Sequence, residues 1–160
     1  MREKTICFTG HREIKEDKSV LEKKISLILE EQVKQGYCYF IAGGARGFDT
    51  LAARVVLRLK EKYPHIQLIL VLPFINQYEK EAGWSVEEIE EYNFIKKSAS
   101  EVIHLQTEYS KRCYYRRNEY LVDHASLCIC YQYKRGGGTA YTVQYAEKQY
   151  LKVINCYKNK

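Results

Sequence analysis

Short apolar runs alternate along the chain with longer segments whose apolar residues recur at helical spacing. The runs show no clear in-and-out alternation, which is typical of strands buried on both faces of a sheet. They predict strands at 4–9, 37–41, 66–72, 101–105, 126–131 and 151–156. The periodic segments predict helices at 19–35, 48–62, 85–98, 110–125 and 139–149, with a loop at 75–84. Two of these helices begin at Ser-x-x-Glu capping boxes, Ser19–Glu22 and Ser85–Glu88.

Strands that alternate with helices require right-handed crossovers and favour a mostly parallel sheet with helices on both sides. The chain shows no internal repeat, linker or low-complexity segment. We therefore expect an α/β protein in which residues 1–160 form a single Rossmann-like three-layer domain. In such sheets a ligand binds beyond the carboxyl ends of the strands.

Every glycine-rich or polar turn follows a predicted strand, so these turns are expected to gather at one edge of the sheet. The sets are Gly10, His11 and Arg12; Gly43, Gly44, Ala45, Arg46, Gly47 and Asp49; Pro73 and Phe74; and Gly136, Gly137, Gly138 and Thr139. Their convergence is the main argument from the residues for a ligand site.

The turn at 43–47 and the turn at 136–139 each open a helix, whose first N–H groups and dipole attract anions, above all phosphate. The guanidinium group of Arg46 adds a positive charge with paired donors for phosphate. Thr139 can cap its helix or donate its hydroxyl to phosphate. Asp49 either caps its helix or holds a ribose hydroxyl. The alternatives are a tight turn that needs positive φ at the first site and a surface loop at the second.

Three further side chains belong to the same predicted edge. Arg117 and Asn118 lie near the start of a helix, where the alternative is a solvated basic face. His11 is either an acid–base group or a donor to phosphate. Tyrosines such as Tyr114 and Tyr141 cluster around the edge, and one or two of them are candidates for stacking on a base.

Composition adds little that is specific. The net charge of +6 and the pI near 8.9 favour an anionic partner without choosing between nucleotide and nucleic acid. No apolar run approaches a membrane span, and the N-terminus does not resemble a signal peptide, so we expect a cytoplasmic protein. The six cysteines then remain reduced. A metal site at His124, Cys128 and Cys130 is disfavoured because the spacing is wrong for zinc, and no metal is expected.

The ordered motifs resemble the SLOG superfamily, named for the Smf/DprA and LOG proteins, and within it the YpsA-like branch of small proteins. The resemblance rests on Phe8–Arg12, Gly43–Asp49, Leu72–Phe74, Arg117–Asn118 and Gly137–Thr139, and it spans nearly the whole chain. It implies a Rossmann-like nucleotide-binding domain.

Two better-known groups within the superfamily imply different activities. The segment from Gly44 to Ala53 resembles DprA, a single-stranded DNA-binding protein. Arg117–Asn118 with Gly137–Thr139 resembles the LOG enzymes, which hydrolyse nucleoside 5′-monophosphates to free base and ribose 5-phosphate. In those enzymes an Arg, matched here by Arg117, and a Glu three residues after the Thr support catalysis. That Glu position is Thr142 in this chain, which places the hydrolase activity in doubt.

The first hypothesis is therefore a protein that binds or senses a nucleotide or a nucleotide sugar of the ADP-ribose type, with no obligatory cofactor. The alternatives are a LOG-like N-glycosidic hydrolase with Arg117 as its candidate catalytic residue and a DprA-like nucleic-acid binder. For the hydrolase, Asp49, Glu119 or Asp123 would have to replace the missing carboxylate. A homodimer through exposed tyrosines is a further expectation.

Overall fold

A computed structural model describes residues 1–157. The strands are β1 (Thr5–Gly10), β2 (Tyr39–Ala42), β3 (Gln67–Leu72), β4 (Glu101–His104), β5 (Leu127–Tyr131) and β6 (Lys152–Asn155). The helices are α1 (Lys18–Lys34), α2 (Phe48–Lys60), α3 (Gln77–Lys80), α4 (Val86–Ser98), α5 (Cys113–Asp123) and α6 (Gly138–Lys148). A single 3-10 turn, Arg2–Lys4, precedes β1.

The six strands form one sheet in the order β4-β3-β2-β1-β5-β6, and every neighbouring pair is parallel. From β1 the chain builds outwards to β4, then returns to place β5 and β6 on the other side of β1. The strand order therefore reverses between β1 and β5. In open α/β sheets the crevice beyond such a reversal is where ligands bind.

Helices cover both faces of the sheet, as the predicted three-layer architecture requires. Phe8, on one face of β1, belongs to the core formed with α1, α2 and α4. The adjacent Cys7 belongs to a separate core formed with α5 and α6. This alternation between two buried faces explains why the strands read as continuous apolar runs.

The sequence predicted most elements and missed some boundaries. The capping box at Ser85 and Glu88 is confirmed. The one at Ser19 is wrong: Asp17 caps α1 by accepting the Ser19 backbone N–H at 2.8 Å, so Ser19 already lies in the first turn. The predicted loop at 75–84 contains α3, and the predicted helix at 110–125 is trimmed to α5.

Within the described residues, no helix has the length and apolar character needed to cross a membrane.

Candidate functional site

A cleft of about 300 Å³ lies at the carboxyl ends of β1 and β5, where the strand order reverses. Backbone pairing continues past the strands here, because the His11 N–H donates to the Tyr131 carbonyl at 3.2 Å. We call this cleft the first chamber. It is lined by Thr9, Gly10, His11, Arg12, Ala45, Asp49, Tyr114, Arg117, Asn118, Gly138 and Thr139. Most of these residues come from the turns that the sequence singled out.

A second chamber of about 510 Å³ adjoins the first and shares part of its wall. Gly10, Arg12, Ala45, Tyr114 and Arg117 line both chambers. The remaining wall of the second chamber consists of Arg46, Gln77, Glu81 and Ala82. Three of these four residues belong to the α3 region, which the sequence predicted only as a loop.

Several predicted site residues lie outside the walls of both chambers: Gly43, Gly44, Gly47, Pro73, Phe74, Gly136 and Gly137. Phe74 is fully buried and packs edge-on against Tyr114, so it supports a wall of the cleft from behind. Gly136 is exposed. These seven residues therefore do not line the site, and Phe74 contributes to it only indirectly, through its contact with Tyr114.

Gly44 and Gly47 are required by their conformation and their neighbours. Both have positive φ, 73° and 89°. A Cβ on Gly44 would overlap the Leu72 side chain, and a Cβ on Gly47 would overlap the Arg12 backbone. The close approach at Gly47 brings the Phe48 N–H to the His11 carbonyl at 3.2 Å. These glycines therefore let the turns after β1 and β2 pack together.

The two helices that begin at the first chamber, α2 and α6, lack the side-chain caps found at the starts of α1 and α4. Asp17 caps α1 and Ser85 caps α4. By contrast α2 and α6 follow Gly47 and Gly137, and neither glycine position supplies a side-chain cap. The first N–H groups and the positive dipole end of both helices are thus presented without a protein side-chain acceptor. An anion in the cleft is a natural partner for such groups.

Behind the first glycine turn lies a buried pair, Asp49 and Arg117. The backbone N–H groups of Gly43 and Ala45 favour the ionised form of Asp49, while the Arg117 guanidinium donates to the Gly43 carbonyl. Arg117 also donates through Nε to Asn118 Oδ1 at 2.8 Å. Only 6% of Arg117 is exposed, and one of these two hydrogen bonds, that to the Gly43 carbonyl, holds the turn. The pair positions the turn that the ligand would meet.

The environment of this pair perturbs both groups. Burial raises the pKa of Asp49 to about 6, although Arg117 and the two backbone N–H groups act in the opposite direction. Burial also lowers the pKa of Arg117, and Asp49 opposes that change. One carboxylate oxygen of Asp49 is buried without a hydrogen-bond partner. An unpartnered buried acceptor beside a cleft is a typical feature of a functional site.

His11 is held in a defined orientation at the mouth of the first chamber. Its ring packs edge-on against Tyr133 with centroids 4.4 Å apart, and Nε2 accepts the Lys134 backbone N–H at 3.2 Å. Partial burial, with a smaller effect of the Lys134 charge, lowers the pKa of His11 below its usual value. The imidazole is therefore neutral near pH 7, with its proton on Nδ1.

Of the carboxylates considered as replacements for the missing Glu, only Asp49 lies in the cleft. Glu119 accepts from Tyr141 and Asp123 accepts from Tyr145, and neither carboxylate lines either chamber. Thr142 is buried, and its hydroxyl donates to the Gly138 carbonyl at 2.8 Å. Glu81 is the carboxylate that the sequence did not single out. Little in the sequence indicates that Glu81 lies in the site, because a short polar helix after β3 resembles a loop.

The three residues considered for a metal site lie in different environments. His124 is exposed and stacks on Tyr120, whereas Cys128 and Cys130 are buried in β5. Across residues 1–157, no three His, Cys, Asp or Glu side chains come close enough together to hold a metal ion.

The parallel sheet and the cleft at its point of reversal define a Rossmann-like α/β protein. The model of the YspA SLOG family (YpsA) matches residues 6–158, and the chain belongs to this family. It is 31% identical over 144 residues to the uncharacterised prophage-derived protein YoqJ of Bacillus subtilis, covering 82% of each chain. It is 32% identical to the UPF0398 protein BH1768 of Halalkalibacterium halodurans, covering 88% of this chain and 72% of that one.

Among solved structures, DNA processing protein A from Helicobacter pylori has a similar fold, with a TM-score of 0.63 at 15% identity. The likeness covers 93% of this chain and 63% of that one, and the structure of that protein concerns its binding of single-stranded DNA. Membership of the SLOG family supports a general nucleotide-related role.

Proposed function

We propose that this protein binds a nucleotide or a nucleotide sugar of the ADP-ribose type in the first chamber. The observation that carries the proposal is the convergence of two helix starts, those of α2 and α6, on one cleft without side-chain caps. A phosphate would accept N–H groups at both helix starts that have no partner in the protein. The Phe48 N–H is not one of these, because it donates to the His11 carbonyl. Arg12 and Arg46 supply further positive charge at the wall.

Binding or sensing is favoured over N-glycosidic hydrolysis. Such cleavage develops positive charge on the sugar, which a nearby carboxylate stabilises or uses to activate water. Thr142 cannot supply a carboxylate, and Asp49 is only 5% exposed and engaged with the backbone of the turn. Hydrolysis is the second candidate, because the raised pKa of Asp49, about 6, is the kind of perturbation found in catalytic carboxyl groups.

Nucleic-acid binding is the third candidate, and it rests on the fold shared with the Helicobacter pylori DNA processing protein. It predicts a steep fall in affinity with rising salt, because each phosphate contact releases counterions. A mononucleotide in the first chamber makes fewer such contacts and predicts that affinity depends only weakly on salt.

Gly138→Asp tests the proposal. Gly138 is the first residue of α6 and lines the first chamber, and a Cβ there meets only Asn118 Nδ2 at 3.9 Å. An aspartate in the first helical turn suits the helix dipole, so folding is preserved while a negative charge enters the expected phosphate position. We expect nucleotide affinity, measured by calorimetry against a panel including ADP-ribose, to fall by about tenfold or more.

The matched control is Val20→Asp, which places the same charge in the first turns of α1 at a position that is 54% exposed. It should leave affinity unchanged. Chromatography of the same mixtures detects free base, whose release would favour the hydrolase. If no nucleotide binds the unaltered protein, the proposal is wrong.

A further inference from the structure

Glu81 is the acidic group in the wall of the second chamber, and it is held there by three donors. Trp84 Nε1 donates to Oε1 at 2.9 Å, Gln77 Nε2 donates to Oε2 at 3.2 Å, and the Tyr114 hydroxyl donates to Oε2. Gln77 is only 2% exposed, and Tyr114 reaches across from α5. The carboxylate is therefore anchored from two sides in a fixed orientation beside the cleft.

A carboxylate in this position restricts what the second chamber can hold. An ionised carboxylate only accepts hydrogen bonds, and its two oxygens offer about four lone-pair sites. The three protein donors make four contacts with these oxygens, because Gln77 Nε2 also lies 3.4 Å from Oε1. That contact is the longest of the four, so a better-placed donor can replace it. A second phosphate close to Glu81 would be repelled, whereas a hydroxyl group would donate to the carboxylate. The wall is thus suited to a polar, uncharged, donor-bearing group.

Because the two chambers share part of their wall, the position of this uncharged polar group relative to the phosphate can be inferred. Arg12, Ala45 and Tyr114 line both chambers, so a group in the second chamber lies directly beside an anion in the first. In a nucleoside 5′-phosphate or a nucleotide sugar, the group bonded to the phosphate is a ribose. The ribose carries vicinal hydroxyl groups, and carboxylates commonly accept from such hydroxyls in Rossmann-like proteins.

We propose that the second chamber holds the ribose of the bound nucleotide and that Glu81 accepts one of its hydroxyl groups, so that the protein selects ribonucleotides over deoxyribonucleotides. This inference rests on the proposed function and deepens it, because it assigns a specificity-determining residue and a class of ligand. A site that requires a ribose hydroxyl also disfavours DNA as the ligand.

The test compares each of the four ribonucleoside 5′-monophosphates with its 2′-deoxy and 3′-deoxy counterparts by calorimetry. A hydrogen bond to a charged acceptor predicts that removing the correct hydroxyl weakens binding by about tenfold or more. This comparison uses the unaltered protein, so it does not depend on the folding of a variant. Equal affinities for ribo and both deoxy forms would overturn the inference and leave the proposed function standing.

Glu81→Ala should weaken the binding of the ribonucleotide and leave the binding of the deoxyribonucleotide unchanged, because water can then accept from the three donors. The preference for ribose should therefore fall to within about twofold. The matched control is Glu79→Ala, which removes the same charge from an exposed position of α3 and should keep the preference. A preference that survives in Glu81→Ala assigns the selectivity to another residue and refutes the role of Glu81. If no nucleotide binds at all, both the proposed function and this inference are wrong.

Discussion

Replacing Arg117 with methionine should destabilise the protein in a way that depends strongly on pH. Arg117 is buried, its positive charge favours the ionised form of Asp49, and its guanidinium donates to the Gly43 carbonyl. Methionine fills a similar volume and removes both the charge and the donors. The remaining Asp49 carboxylate would then be a buried charge with no counter-ion, which typically costs about 3–5 kcal/mol.

The dependence on pH follows from the titration of Asp49. Its pKa rises from 3.8 to about 6 on folding, and about 1.4 kcal/mol per pKa unit makes ionisation about 3 kcal/mol harder in the folded protein. Because the pKa of Asp49 is raised on folding, its contribution to the free energy of unfolding is greatest below the unfolded pKa of 3.8. That contribution is lost as pH rises through about 6. Without Arg117 the pKa of Asp49 should rise further, so the variant should continue to lose unfolding free energy above pH 6, where the unaltered protein no longer does.

At pH 8 we therefore expect Arg117→Met to lose about 3–5 kcal/mol of unfolding free energy. At pH 5 Asp49 is mostly protonated in both proteins, and the loss should fall to about 1–2 kcal/mol, the value of the hydrogen bond to the Gly43 carbonyl. Urea denaturation followed by circular dichroism measures both values. The double variant Arg117→Met/Asp49→Asn should show a smaller, nearly pH-independent loss. Equal losses of the single variant at pH 5 and pH 8 would refute the coupling.

Three other features make separate predictions. Gly44→Ala should lower the unfolding free energy by about 2–4 kcal/mol, since alanine at φ 73° is strained and its Cβ meets Leu72; thermal melts in the absence of ligand measure this. Ser85→Ala should lose about 1 kcal/mol by breaking the cap of α4, and an unchanged urea midpoint would contradict it. Nitrogen NMR of His11 should show the Nδ1-protonated neutral ring near pH 7 and a titration midpoint below 6.5, because burial opposes protonation and Nε2 accepts from Lys134.

The alternation of apolar runs and helical stripes was sufficient to predict the layers of the fold. It worked because both sheet faces are covered, so that β1 and β5 read as uninterrupted apolar segments. It failed at the start of α1, where two neighbouring side chains compete to cap the helix. Asp17 caps α1 in preference to Ser19, and both residues are acceptable capping types, so the choice depends on the path of the chain entering the helix.

The candidate site was predictable in its backbone and less so in its side chains. Turns after parallel strands must meet at one edge, which placed His11, Asp49 and Arg117 together. Glu81 was not predictable, because its place in the wall depends on Gln77, Trp84 and Tyr114, whose hydrogen bonds no periodic pattern records. Nor could the sequence show that Arg117 is buried and donates to the Gly43 carbonyl.

The packing of the glycine turn limits what its motif implies about function. Gly44 and Gly47 are needed because Leu72 and the Arg12 backbone lie against them, a requirement that holds with or without a ligand. A relative that keeps these glycines therefore keeps the packing of the turns and the helix starts without side-chain caps, while its ligand can differ. Selectivity must come from side chains that the turn does not specify. On this reasoning Glu81, and not the glycine motif, is where members of the family with different ligands should diverge.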